Sequence, residues 1–239
     1  MNNRLKDIAN DFLPPYLLRV AKRIYRGKYL AKDSLDKKMK KYLDYDHGFF
    51  VELGANDGLV QSNTYYYEQQ KSWKGILIEP SPNKFLACKA NRAKRNAFFC
   101  AACVSFGFQE EFVKIAYSDY MSAPLNLESD IADPLAHAKA GEKYLPEHEQ
   151  VFEFGAKAVP LNSLLSQAAA PKEIDFLSLD VEGAEIEVLK GVDHTNYRFK
   201  YLLIECRDFE KLNGYLSAAG YRFLEKLSHH DYLFTGTQQ

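Results

Sequence analysis

Residues 48–58 read GFFVELGANDG. The first six form a short apolar run of the kind that makes a buried strand. Gly54 then allows a tight turn, small Ala55 leaves room for a close approach, and a helical stretch follows around 62–71. A strand, a glycine turn and a helix in that order form the place where α/β sheets hold nucleotides, outside the carboxyl end of the strand. Downstream the alternation continues. GILIE (75–79), NAFFCAACVSF (96–106), IDFLSLD (174–180) and KYLLIEC (200–206) read as further strands, with helices to about residue 93, through Val188 and to about residue 219. The end, YRFLEKL–SHHD–YLFTG, reads as a hairpin. This order predicts a mostly parallel sheet covered on both faces.

The ligand follows from the charges around the turn. Glu79 ends the second strand, 21 residues after Gly58. A carboxylate about twenty residues past a glycine turn accepts hydrogen bonds from both ribose hydroxyls. The dinucleotide fingerprint needs glycine at 54, 56 and 59, where the chain has Gly54, Asn56 and Leu59. Glu52 and Asp57 in the same loop oppose a pyrophosphate and suit a ligand with an ammonium and a sulfonium charge, which is S-adenosylmethionine.

DFLSLDVEGAEIEVLKG (175–191) carries the second signal. Asp180 falls at the carboxyl end of a buried strand, Glu182 lies in the turn, and Gly183 frees the backbone before a helix. Both carboxylates face the expected reaction zone; the plainer reading is that Glu182 and Glu185 only charge the start of the helix.

FVELGANDG, GILIEPSP and IDFLSLDVEGAEIEVLKGV together resemble the FkbM-type methyltransferase family, over about residues 48–236 and weakly within 107–155. The resemblance implies a Rossmann-like class I methyltransferase fold, a mostly parallel seven-stranded sheet with a C-terminal antiparallel hairpin. It implies S-adenosylmethionine as donor and O-methylation of a hydroxyl, often on a sugar of a glycan or glycosylated metabolite. By that match Glu52, Gly54 and Asn56 belong to the donor loop, Glu79 to the ribose, and Asp180 and Glu182 to the active-site motif. With the turn residues Ala55 and Gly58, and with Asp180 at its edge, these make up the expected donor site. Glu52 stands where the family's loop more usually has aspartate, which keeps the charge and lengthens the side chain.

Methyl transfer to an alcohol needs the donor and acceptor aligned and the acceptor's proton removed. Candidate bases are Asp180, Glu182, and His229 or His230 in the hairpin loop. A second route is Mg²⁺ on Asp180, Glu205 and Asp208, at or just past two strand ends. Two other functions compete: a fold that holds the cofactor without turnover, and a nicotinamide-dependent oxidoreductase. The retained Asp180 and Glu182 weigh against the first, the missing glycines against the second. Nucleobase amine methylation lacks its N-P-P-Y-like signature after the fourth strand. Cys100 and Cys103 read as buried sheet cysteines rather than metal ligands, and Tyr65, Tyr66 and Tyr67 as helix packing plus exposed rings.

The composition, 46% hydrophobic and 26% charged, is that of a globular protein. No secretory leader or membrane-spanning stretch is evident and the four cysteines form no repeated pattern, so a cytoplasmic location is expected. The net charge of −1 is unevenly split. Residues 1–45 hold twelve basic and five acidic side chains, a net +7, against −8 for residues 46–239. The acidic part is a poor host for nucleic acid. We read 1–45 as a basic helical extension, 46–239 as the methyltransferase domain, and about 107–160 as an insertion that either covers the site or only elaborates the surface. Leu17, Val20, Ala21 and Ile24 give the extension an apolar stripe, suited either to the domain or, peripherally, to the anionic inner face of the cell membrane. Co-sedimentation with anionic liposomes at low salt separates these: the full chain pellets and a chain shortened at its head does not. Equal pelleting of both contradicts membrane attachment.

Overall fold

The computed structural model of the chain describes residues 28–236, His148 excepted. Its strands are β1 (Phe49–Leu53), β2 (Lys74–Ile78), β3 (Ala97–Phe99), β4 (Ala102–Val104), β5 (Phe112–Tyr117), β6 (Ala123–Pro124), β7 (Phe152–Pro160), β8 (Glu173–Leu179), β9 (Arg198–Glu205), β10 (Arg222–Lys226) and β11 (Asp231–Thr235). The helices are α1 (Leu35–Leu43), α2 (Tyr65–Gln70), α3 (Pro82–Asn91), α4 (Pro134–Gly141), α5 (Leu161–Gln167), α6 (Glu185–Leu189) and α7 (Phe209–Ala218).

Seven strands form the main sheet in the order β10-β11-β9-β8-β1-β2-β3. β9, β8, β1, β2 and β3 run parallel, and β11 enters antiparallel between β9 and β10. This is the expected class I methyltransferase architecture. The central strands are apolar on both faces because both are covered. Val51, Ile76, Leu177 and Leu202 pack on one side with Leu164, Leu165, Leu189, Leu212 and Leu216 from α5, α6 and α7. Phe50, Leu77, Phe176 and Leu203 pack on the other with α1, α2, α3 and Trp73.

The boundary expected at residue 45 is corrected. Leu35, Met39 and Leu43 of α1 are buried against Phe50, Phe176 and Leu203, each contributing about 1.5–3 kcal/mol of apolar burial. Buried Asp36 accepts the backbone N–H groups of Leu30, Ala31 and Lys37. The Tyr67 hydroxyl donates to the Asp36 carbonyl. Part of the head's basic character is engaged within the fold: Lys41 pairs with Glu225, and Lys38 donates to the Leu227 carbonyl. Residues from 28 on therefore belong to the domain, and a head truncation for liposome work begins there. The stripe from Leu17 to Ile24 lies outside the described residues. Among the described residues no helix is long and apolar enough to cross a membrane.

Three finer expectations also change. NAFFCAACVSF is not one strand: β3 ends at Phe99, whose carbonyl takes the Glu79 N–H, and the chain leaves the main sheet to start β4. Cys100, between the two strands, is exposed, whereas Cys103 on β4 is buried. Tyr65, Tyr66 and Tyr67 are all buried, with no ring left to solvent. The region 107–160 supplies β5, β6 and β7, which with β4 just before it form a second sheet in the order β4-β7-β5-β6. Its antiparallel β5–β7 pairing runs from Phe112 opposite Lys157 to Tyr117 opposite Phe152.

Candidate functional site

A cavity of about 540 Å³ opens at the carboxyl ends of β1, β2, β8 and β9. The insertion closes it. Val113, Ile115, Asp119, Tyr120, Met121 and Leu127 all border it, which favours the covering role over surface elaboration.

The turn after β1 is set by one steric constraint. Gly54 has φ +73°, and a Cβ there would lie 1.9 Å from the Asp180 carbonyl oxygen. Only glycine lets β1 and β8 approach so closely. Two backbone bonds tie the strand ends across that approach: Ala55 N–H donates to the Ile78 carbonyl at 3.1 Å, and Asp180 N–H to the Leu53 carbonyl at 3.4 Å. Gly54, Ala55 and Asn56 border the cavity. Asn56 adopts φ +44°, its N–H donates to Glu79 Oε2 at 2.8 Å, and its Nδ2 donates to Asp119 Oδ1 at 2.9 Å. Asp119 also meets Lys84 Nζ at 2.5 Å, so the insertion is latched onto the loop and onto α3.

Glu79 is buried at the cavity wall and receives the N–H groups of Asn56 and Ser81, one on each oxygen. Burial raises its pKa, and those two bonds hold it back. It still has lone pairs for a ligand's hydroxyls.

Two expected donor residues have other duties. Glu52 touches the cavity rim but is tied up behind it: it accepts from Ser62 Oγ, Asn63 N–H and Thr64 Oγ1 and pairs with Arg92 Nη1 at 3.0 Å. Arg92 is buried and also pairs with Glu68 at 2.9 Å. Burial would raise Glu68, but Arg92 outweighs it and holds the carboxyl below its usual range. Gly58 does not border the cavity; a Cβ there would strike Cys88 Sγ and Arg92 Cγ. Asp57 caps the Leu59 and Val60 N–H groups. The loop's acids therefore build the loop. Besides Glu52 and Asp119, which are held by Arg92 and by Lys84 with Asn56, the carboxylates bordering the cavity are Glu79, Asp180, Glu182 and Glu205.

Asp180, Glu182 and Glu205 bring one oxygen each within 4.8 Å of one another. Confinement in the site and the nearby charges of Glu205 and Glu182 raise the Asp180 pKa well above the carboxylate range. Glu182 has φ +54°, a strained setting for a side-chain-bearing residue that costs about 1 kcal/mol. Its Oε2 lies 3.0 Å from Arg207 Nη2 and 3.0 Å from His137 Nε2. Buried Glu185 closes the turn by accepting the Val181 and Gly183 N–H groups, and burial pushes its pKa up to about 8.

Other expected groups are not brought here. His229 and His230 stack on each other at 4.3 Å, and neither borders the cavity. Asp208 caps α7 by accepting the Lys211 N–H, so Glu182 takes its place beside Asp180 and Glu205. The sequence reading missed Arg92, Asp119, His137, Arg207 and Asp130, because each acts on a partner 25 or more residues away.

The donor set fits S-adenosylmethionine. A turn that a Cβ would fill admits the nucleoside closely, Glu79 suits a ribose, and the clustered acids suit a cation and oppose a pyrophosphate.

Comparison with known proteins agrees. The family model described as Methyltransferase FkbM domain matches residues 52–223. Methyltransferase 1 of Beauveria bassiana (strain ARSEF 2860) is 26% identical over 156 residues, which cover 64% of this chain and 61% of that protein. The chain thus spans about three fifths of that relative's length. Among solved structures, a methyltransferase from Geobacter sulfurreducens is 11% identical with a TM-score of 0.42, covering 98% of this chain and 96% of that one. Precorrin-6y C5,15-methyltransferase from Geobacter metallireducens GS-15 is 11% identical with a TM-score of 0.43, covering 87% and 90%.

Glu79→Ala is expected to weaken S-adenosylmethionine binding by about 1.5–3 kcal/mol, the range for hydrogen bonds to a charged group. Calorimetry on a variant that still melts cooperatively checks this; unchanged affinity would place the ribose elsewhere.

Proposed function

Because the chain belongs to the FkbM family of S-adenosylmethionine-dependent methyltransferases, we propose that it methylates a hydroxyl of a sugar in a glycan or glycosylated metabolite. The observation that carries this reading is the cluster at the cavity wall in which Asp180, Glu182 and Glu205 bring one oxygen each within 4.8 Å of one another.

When bound, S-adenosylmethionine supplies a methyl group made electrophilic by its sulfonium. Glu79 holds the ribose, and the Gly54–Asn56 backbone borders the rest of the donor. The protein's own task is to align the acceptor and take its proton. A carboxylate with raised proton affinity takes a proton from an alcohol more readily than an ordinary one. Glu182 and Glu205 accept further hydrogen bonds from the acceptor's hydroxyls, which suits a polyhydroxylated molecule. The exposed rings of Tyr120 and Tyr144, which border the cavity, offer apolar faces to the sugar.

The test follows labelled methyl from S-adenosylmethionine to p-nitrophenyl glucosides, galactosides and mannosides, with the corresponding amino sugars alongside. We expect label on oxygen. Glu182→Gln lowers turnover by about a hundredfold, the scale of losing an acid–base or orienting group, and leaves donor binding intact. Asp180 must be ionised to act, so turnover rises with pH along a limb above the ordinary carboxylate range. Glu205→Gln removes a neighbouring negative charge and moves that limb to lower pH. Label on nitrogen, or a limb unmoved by Glu205→Gln, contradicts the reading.

A further inference from the structure

The turn that carries Glu182 is held from the insertion. Gly183 has φ +102°, and a Cβ there would strike Ser129 Oγ at 2.3 Å and Ile131 Cγ1 at 3.0 Å, so residues 129–131 lie directly on it. Asp130 N–H donates to the Gly183 carbonyl at 3.0 Å. The Asp130 Oδ2 accepts the Arg207 N–H at 2.6 Å, the Asp208 N–H at 3.3 Å and the Cys206 thiol at 3.4 Å. One insertion residue therefore joins the turn after β8 to the segment after β9. Arg207, fixed by its backbone, sends Nη2 back to Glu182 Oε2, and its Nη1 lies 3.8 Å from Asp130 Oδ1. From α4, still within the insertion, His137 Nε2 lies 3.0 Å from the same Glu182 oxygen, in contact with it but outside hydrogen-bonding geometry, and it has no hydrogen-bond partner elsewhere among the described residues. Glu182 Oε1 has no hydrogen-bond partner among the described residues, and Glu182 borders the cavity.

We propose that His137 is a positioning residue: with Arg207 it pins one oxygen of Glu182 so that the other faces the acceptor. This rests on the reading of Glu182 as an acceptor-facing group. The side chain must be held, because a glutamate on a left-handed backbone beside two further carboxylates is repelled from the cavity toward solvent. Arg207 alone fixes one direction of approach. His137 supplies the second, and it comes from the insertion, so the carboxylate is aimed only when the insertion is seated. Neither residue needs to touch substrate.

The experiment compares crystal structures of the full chain bound to S-adenosylhomocysteine for wild type, His137→Ala and His137→Gln. Glutamine keeps a polar nitrogen near the Nε2 position, in contact distance of Glu182. In wild type and His137→Gln, Glu182 stays on Arg207 with its second oxygen in the cavity. In His137→Ala the carboxylate swings off that position, while S-adenosylhomocysteine affinity stays within about twofold of wild type. With any p-nitrophenyl glycoside that accepts methyl, His137→Ala lowers kcat by about tenfold or more with little change in KM, and His137→Gln restores most of it. An unmoved Glu182 in His137→Ala overturns the inference, as does an equal loss of affinity and melting temperature in both variants, which marks a structural role alone. Wild-type turnover by Glu182→Gln would instead sink the reading of Glu182 itself, so the two failures are told apart.

Discussion

The contact between Gly54 and the Asp180 carbonyl holds the rest of the site in register. A side chain at 54 cannot coexist with β8 in its place, since its Cβ would lie 1.9 Å from that oxygen. The approach brings the end of β1, which carries the donor turn, against the end of β8, which carries the acids. The Asp180–Leu53 and Ala55–Ile78 backbone bonds then fix three adjacent strand ends relative to one another. Glu79 joins this frame through the Asn56 N–H. The glycine turn and the cluster of acids are thus two sides of one packed seam.

Charge is partitioned around that seam. Behind it, Arg92 satisfies Glu52 and Glu68 in a buried cluster with Ser62 and Thr64. Removing one partner of such a pair typically costs about 3–5 kcal/mol, because the other charge is left buried alone. In front of it, Asp180, Glu182 and Glu205 bring one oxygen each within 4.8 Å of one another, and Glu182 also meets Arg207 and His137. The first arrangement stabilises a loop. The second gathers acids of like charge at the cavity and raises the Asp180 pKa. Both are made of the same residue types, and only their neighbours separate scaffold from chemistry.

This explains what could be read from the sequence. Strand order, the glycine turn, Glu79 and the D-V-E-G turn were legible because each depends on local pattern and on the rule that ligands gather at strand ends. Gly58, Asp208 and the histidine pair were misplaced because spacing gives the end of the sheet but not the direction of a side chain. Glu52 was read by its charge, whereas the decisive fact is Arg92, forty residues on. The head was divided at residue 45 on composition; its basic character hid the apolar face of Leu35, Met39 and Leu43, which belongs to the core. The insertion carried no regular sequence rhythm, yet it supplies three strands of a second sheet, walls the cavity and brings His137 against Glu182.

Calorimetric titration of S-adenosylhomocysteine into Gly54→Ala and Gly214→Ala tests the central constraint directly. Gly214 lies in a helix, and a Cβ there meets nothing within 4 Å, so it controls for the substitution itself. The account predicts wild-type affinity for Gly214→Ala and at least a tenfold loss for Gly54→Ala, whose turn can no longer seat on the Asp180 carbonyl. Equal binding by both variants would contradict it.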